Sequence, residues 1–292
     1  MDGLKTKAPN HWRTVRAHGT AVGLPSDDDM GNSEVGHNAL GAGQVISQGA
    51  KLVDNAIANG SVFSEVLHMN LHTLTINQYP FFTTCQEGWQ YIKPTFANNT
   101  VHFIGLLSDG GVHSRCNQLY AFMQGAAKDG AKRIRVHILT DGRDVPDGSG
   151  IKFIQELEAE CAKLKEAHGS DARIASGGGR MGVTMDRYEA DWNIVKKGWY
   201  AHVLGEADNK FTSAEEAYKT MRVRVAINHS AGAYQPQPIY VKDDHALATN
   251  MTHTYLHTHM YTQEYTPRIR TYIHTRSLSI STNPARVTRR SQ

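Results

Sequence analysis

The sequence predicts an α/β fold with a mostly parallel sheet flanked by helices on both faces. Three observations carry that prediction. Short β-branched runs alternate with amphipathic helical stretches from about residue 100 onward. Each apolar run is followed by a polar, glycine-containing cluster, as expected where strands hand over to helices. The composition, 40% hydrophobic and 20% charged over 292 residues, suits a soluble globular chain able to bury a sizeable core.

The elements follow in order. A helix is expected from Ala39 to Ser47, just after the acidic and glycine-rich run Asp27-Asp28-Asp29-Met30-Gly31-Asn32-Ser33-Glu34-Val35-Gly36-His37-Asn38. Residues 66–86 lack a clear period and read as an insertion before Glu87-Gly88-Trp89-Gln90-Tyr91. Val101 to Leu107 reads as a buried strand ending in Ser108-Asp109-Gly110-Gly111, followed by a helix from Ser114 to Lys128. Arg133 to Leu139 forms the next strand, ending in Thr140-Asp141-Gly142-Arg143-Asp144. Ile151, Ile154, Leu157, Cys161 and Leu164 share one helical face, with Ser149 as the expected cap and Gly169 beyond the end. Arg173 to Ser176 leads into Gly177-Gly178-Gly179-Arg180, then a helix around Tyr188 to Trp199 and another from the capping Ser213 to Met221.

Bulk charge excludes little. The formal charge is +3, but residues 246–292 hold six arginines against the single acid Glu264, so the rest of the chain is slightly acidic. Nucleic-acid binding is therefore not expected. Cys85, Cys116 and Cys161 are too few and too scattered for a disulfide framework or a zinc site. No apolar run reaches membrane-spanning length and no signal-peptide core is visible, so a cytoplasmic location without membrane partners is expected. The segment His253 to Thr262 is nearly a His/Thr/Tyr alternation, which a CA-rich repeat would encode. Residues 246–292 are accordingly expected to be a disordered, low-complexity tail of translated non-coding origin, with a His-rich metal tract as the alternative.

Ser33 is the candidate nucleophile. A serine hydroxyl needs a base or a metal to become reactive, and carboxylates, an amide and His37 lie beside it. The simpler reading makes Ser33 a helix N-cap with Glu34 in the first turn. In a parallel sheet the three polar clusters share the carboxyl edge, where open α/β sheets bind ligands. That edge would collect His113, Arg143, Asp144, Arg180 and Arg187. Several guanidiniums beside a histidine and a carboxylate suit a small, highly anionic molecule. Structural ion pairs at loop ends are the competing reading. Gly177-Gly178-Gly179-Arg180-Met181-Gly182 satisfies a dinucleotide fingerprint, but an arginine sits where the backbone should approach a pyrophosphate. Asp243-Asp244-His245 ends an extended run with nothing convergent nearby and is read as a solvated strand end.

Met30 to Asn38, Leu107 to Ser114, Thr140 to Pro146 and Gly178-Gly179-Arg180 through Met185-Asp186-Arg187-Tyr188 together resemble the 2,3-bisphosphoglycerate-independent phosphoglycerate mutase family. The likeness runs over about residues 1–65 and 87–245. It implies a fragment of an alkaline-phosphatase-like α/β domain at 1–47 carrying the serine, and an inserted substrate-binding domain at 48–245. It also implies that Ser33 receives a phosphoryl group and ligates metal. His113, Arg143, Asp144, Arg180 and Arg187 would hold phosphoglycerate, and two divalent metal ions, manganese for preference, would assist. A monomer acting in glycolysis is implied. Relative to the family pattern, the Asp and His metal ligands other than Ser33 are missing, and Gly182 replaces an aromatic residue. An incomplete mutase with negligible turnover is therefore expected. The alternatives are a non-catalytic phosphoglycerate-binding fragment and another metal-dependent phosphomutase or phosphatase of the same superfamily.

Overall fold

A computed structural model describes residues 2–11, 13–64, 87–184, 191–220, 222, 240–242 and 254–257. Helices α1 (Asp2–Lys7), α2 (Ser33–Ala42) and α3 (Gly49–Ala58) precede the sheet. The alternating core then runs β1 (Thr100–Leu107), α4 (Cys116–Lys128), β2 (Arg133–Thr140), α5 (Gly150–His168) and β3 (Asp171–Gly179). Helix α6 (Trp192–Trp199) continues into a π-turn at Tyr200–Leu204. Three short strands complete the order: β4 (Asn209–Phe211), β5 (Tyr240–Lys242) and β6 (Thr254–His257).

The sheet order is β4-β5-β3-β2-β1-β6. Strands β1, β2 and β3 pair in parallel, as the alternation requires, while β5 runs antiparallel to β3. Four residues of the 246–292 segment pair in parallel with β1 at the opposite edge. Two-residue periodicity sorts the faces. Phe103 lies opposite Val136 and Val101 opposite Ile134, and these join Met123, Ile154, Leu157 and Leu164 in the main core under α4 and α5. Leu106 and Leu139 point to the other face, where they meet Val183 and Ala201. Ile154 and Leu157 are wholly buried on α5, so truncating Leu157 to alanine costs about 2–5 kcal/mol.

Several expected boundaries shift. The first helix after the acidic run spans Ser33–Ala42 rather than Ala39 to Ser47. Asn32 caps it by accepting from the Val35 N–H at 3.0 Å, and left-handed Gly43 ends it. Gly169 stands beyond α5 as expected, with φ of 67°. Ser149 takes the N-cap position as expected, but its hydroxyl makes no bond to the first turn. Ser114 does not open α4, because its hydroxyl donates to the Leu106 carbonyl instead. Helix α6 begins at Trp192, capped by Asp191, and the part of the expected helix at Tyr188 lies outside the described residues. Ser213 does cap the helical segment at 214–220, accepting from the Glu216 N–H. The expected insertion at 66–86, and Asp243-Asp244-His245, lie outside the described residues.

Candidate functional site

The parallel register of β1, β2 and β3 brings Ser108–His113, Asp141–Asp144 and Arg180 to one carboxyl edge. At its centre is Asp141, whose side chain is 0% exposed. Its Oδ1 accepts from the backbone N–H groups of Gly142, Arg143 and Asp144 at 2.8, 3.0 and 3.3 Å, turning the chain sharply after β2. Its Oδ2 accepts from the Ser108 hydroxyl at 2.8 Å, tying the β1 and β2 ends together. Arg180 donates to Asp141 at 3.1 Å and to Asp144 at 2.6 Å, which adds the β3 end. Burial pushes the Asp141 carboxyl up, but the N–H groups of Arg143 and Gly142 and the Ser108 hydroxyl outweigh it, so the net shift is downward. Burial likewise opposes the Arg180 charge, and its bonds to Asp144 and Asp141 outweigh that, raising it.

Asp144 bridges two candidates. Its Oδ2 lies 3.8 Å from His113 Nε2 as well as 2.6 Å from Arg180. That contact is an ion pair only when His113 is protonated. Gly110 permits the approach, since a Cβ there would sit 2.9 Å from the Asp144 carbonyl oxygen. His113, Asp144 and Arg180 are thus brought together. Arg143 is exposed beside them and its side chain makes no ion pair with the described residues. Arg187 lies outside the described residues. Arg180 is only 7% exposed, and its Nε–H has no acceptor among the described residues. The three glycines before it belong to β3 and are buried in the sheet, so they form no phosphate-cradling turn.

Ser33 is the first residue of α2 and is exposed. His37 Nδ1 lies 3.2 Å from the Ser33 hydroxyl and 2.6 Å from the Ser33 backbone carbonyl oxygen. A carbonyl only accepts, so Nδ1 carries the proton and cannot take one from the Ser33 hydroxyl. His37 is therefore not the base for Ser33. Among the described residues, no three His, Cys, Asp or Glu side chains converge as a metal site. The donors around Ser33 thus do not fit the divalent ions that the resemblance implied.

Two contributors escaped the sequence reading. Asp141 stood inside a quoted motif, and an aspartate before glycine at a strand end is itself a turn signal. The second is a long-range latch: Arg115 donates to Asp29, which also accepts from the Ser26 N–H at 2.7 Å. Burial raises Asp29, but the Ser26 N–H and Arg115 outweigh it and the net shift is downward. The pair holds the Ser33 segment against the β1 edge across 86 positions of chain, for which a single sequence offers no signal.

The site defines a class first: an α/β domain whose parallel strand ends gather arginine, histidine and carboxylate at the carboxyl edge of the sheet. Residues 75–247 match the family described as BPG-independent PGAM N-terminus, and the chain belongs to that phosphoglycerate mutase family. It is 55% identical over 244 residues to a probable 2,3-bisphosphoglycerate-independent phosphoglycerate mutase 2 of Arabidopsis thaliana, covering 84% of this chain and 39% of that protein. The Trypanosoma brucei brucei phosphoglycerate mutase of the same type is 54% identical over 251 residues, covering 85% and 41% respectively. A Leishmania mexicana phosphoglycerate mutase crystal structure, determined at low cobalt concentration, superposes with a TM-score of 0.65 at 52% identity. That superposition covers 80% of this chain and 38% of the other. The chain thus spans about two-fifths of the length of the relatives it matches. No described helix is long and apolar enough to cross a membrane.

Proposed function

We propose that this chain is the serine-bearing, phosphoglycerate-binding portion of a cofactor-independent phosphoglycerate mutase, and that alone it binds phosphoglycerate without interconverting the 3- and 2-isomers. The observation that carries this reading is the buried Arg180, set between Asp141 and Asp144 with an unsatisfied Nε–H at the edge that also holds His113. A buried donor without an acceptor costs about 1–3 kcal/mol, and the guanidinium held at that edge would favour an anionic ligand group. Exposed Arg143, and Arg187 by family resemblance, would supply the remaining positive charge. Asp144, which when ionised can only accept, would take a hydrogen bond from a glycerate hydroxyl.

In a complete mutase, Ser33 would accept the phosphoryl group from the 3-position and return it to the 2-hydroxyl of the retained glycerate. Glycolysis in the cytoplasm, a monomeric state and two manganese ions belong to the same proposal. The ions need ligands beyond those that converge among the described residues. Non-catalytic binding is favoured for the chain alone, because the His37 nitrogen nearest Ser33 already carries its proton.

Calorimetry with 3-phosphoglycerate tests the binding, and a coupled assay with added manganese tests turnover. Saturable binding that weakens in Arg143→Ala, without turnover, is expected. Turnover near that of a full-length relative, or no binding at all, would overturn the reading.

A further inference from the structure

Three buried histidines lie on the sheet face opposite the main core and take no part in the strand-end site. His102 Nδ1 is 2.9 Å from His137 Nε2, with the rings stacked at 5.2 Å and 15°. His137 Nδ1 is 2.7 Å from the Ser176 hydroxyl, which is 2.7 Å from His202 Nδ1. His202 Nε2 is 3.0 Å from the Thr184 hydroxyl. The chain runs across β1, β2 and β3 to the π-turn, and all three rings and Ser176 are buried. A register shift builds it. Val136 pairs with Ile174 but His137 pairs with Ser176, so skipping Ala175 turns Ser176 onto the histidine face.

The far end of the chain is Thr184, four residues after Arg180. It is the one described non-glycine residue with positive φ, at 68°. A β-branched residue holds that conformation only where its surroundings dictate it. Three contacts do so here. Its N–H donates to the Ile194 carbonyl at 3.0 Å, its hydroxyl meets His202, and Gly198 leaves room for it. A Cβ on Gly198 would lie 2.1 Å from the Thr184 hydroxyl oxygen. Segment 180–184 is thus fastened at Arg180 by the Thr140 carbonyl and two carboxylates, in its middle by buried Val183, and at Thr184 by the histidine chain.

Proton counting makes the chain an ordered one. The Ser176 hydroxyl has a single proton and faces two Nδ1 atoms. It donates to one, and the other must donate to it. With both rings neutral, His137 and His202 therefore carry their protons on oppositely named nitrogens. Whichever direction holds, it fixes the sense of the bonds from His102 to Thr184.

We propose that His202 and Thr184 are positioning residues for Arg180, the buried chain setting segment 180–184 and through it the geometry of the phosphoglycerate site. The last clause rests on the ligand site proposed above; the anchoring of the segment does not. The test compares the full chain with His202→Leu and with His202→Gln, whose amide keeps a donor and an acceptor. Amide exchange at Gly182 and Thr184 reads the anchoring, with Leu157 as the reference amide. Exchange at the two loop amides should accelerate about tenfold or more in His202→Leu, remain unchanged at Leu157, and return to within about threefold of the parent in His202→Gln. 3-Phosphoglycerate affinity should follow the same order. Nitrogen-15 spectra of histidine-labelled parent chain should show opposite tautomers at His137 and His202. Parent-like loop exchange in His202→Leu, matching tautomers, or no recovery with glutamine would overturn the proposal. Should His202→Leu not fold, the parent tautomers and the glutamine variant still decide. A parent chain that shows the expected exchange and tautomers but binds no 3-phosphoglycerate would uphold the anchoring and overturn the ligand-site reading instead.

Discussion

Replacing Asp141 with alanine should destabilise the whole strand-end cluster, and the cost can be worked from its contacts. The carboxylate accepts from three backbone N–H groups, the Ser108 hydroxyl and Arg180. Removing one partner of a buried ion pair costs about 3–5 kcal/mol. The lower end applies, because Asp144 still faces Arg180 and because Gly142 and Arg143 are exposed enough for water to reach their N–H groups. A loss of about 3 kcal/mol corresponds to a fall in Tm of about 6–12 °C at this chain size. Asp141→Asn keeps the acceptor oxygen but loses the charge, so about 1–2 kcal/mol is expected. The effect should also depend on pH. The folded Asp141 pKa is depressed, so its contribution is fully present above the unfolded value of about 3.9 and is lost as pH falls through the folded value. The gap between parent and Asp141→Ala should therefore close below about pH 4. Urea titrations at several pH values measure this. An alanine variant within about 0.5 kcal/mol of the parent at pH 7 would refute the assignment of Asp141 as organiser of the edge.

Three further outcomes follow from the same contacts. Arg115→Ala should release the Asp29 latch and speed proteolysis within residues 13–32, while leaving the α5 amides protected against exchange; unchanged cleavage would show that the latch carries no weight. Gly198→Ala should destabilise the chain by about 1–3 kcal/mol, because its Cβ would strike Thr184, and thermal melting checks it. Burial pushes the Cys116 thiol up to about 12, so it should resist iodoacetamide at pH 8 until urea unfolds the chain.

Much of this was legible in sequence where the signal was local. The β1–α4–β2–α5–β3 alternation, the capping role of Ser213 and the stop at Gly169 follow from periodicity and turn chemistry. Parallel pairing then obliges the three polar clusters to share an edge, so His113, Asp144 and Arg180 could be grouped without coordinates. What pairing does not fix is which charges neutralise one another. Arg180 looked like an open anion clamp and proved to be held by Asp141 and Asp144. Competition between neighbouring cap formers was equally unreadable: Asn32 took the N-cap and left Ser33 inside the helix. The Asp29–Arg115 latch and the histidine chain join residues far apart in sequence, and the latter depends on a bulge no pattern announced.

The central claim is that phosphoglycerate binds at the carboxyl ends of β1, β2 and β3. Titrating 3-phosphoglycerate into the nitrogen-15-labelled chain and following amide shifts tests it most directly. Saturable shifts clustered at 108–113, 141–144 and 179–184, with α5 and the far ends of the strands unmoved, are predicted. Shifts that never saturate, or that gather away from that edge, would contradict it.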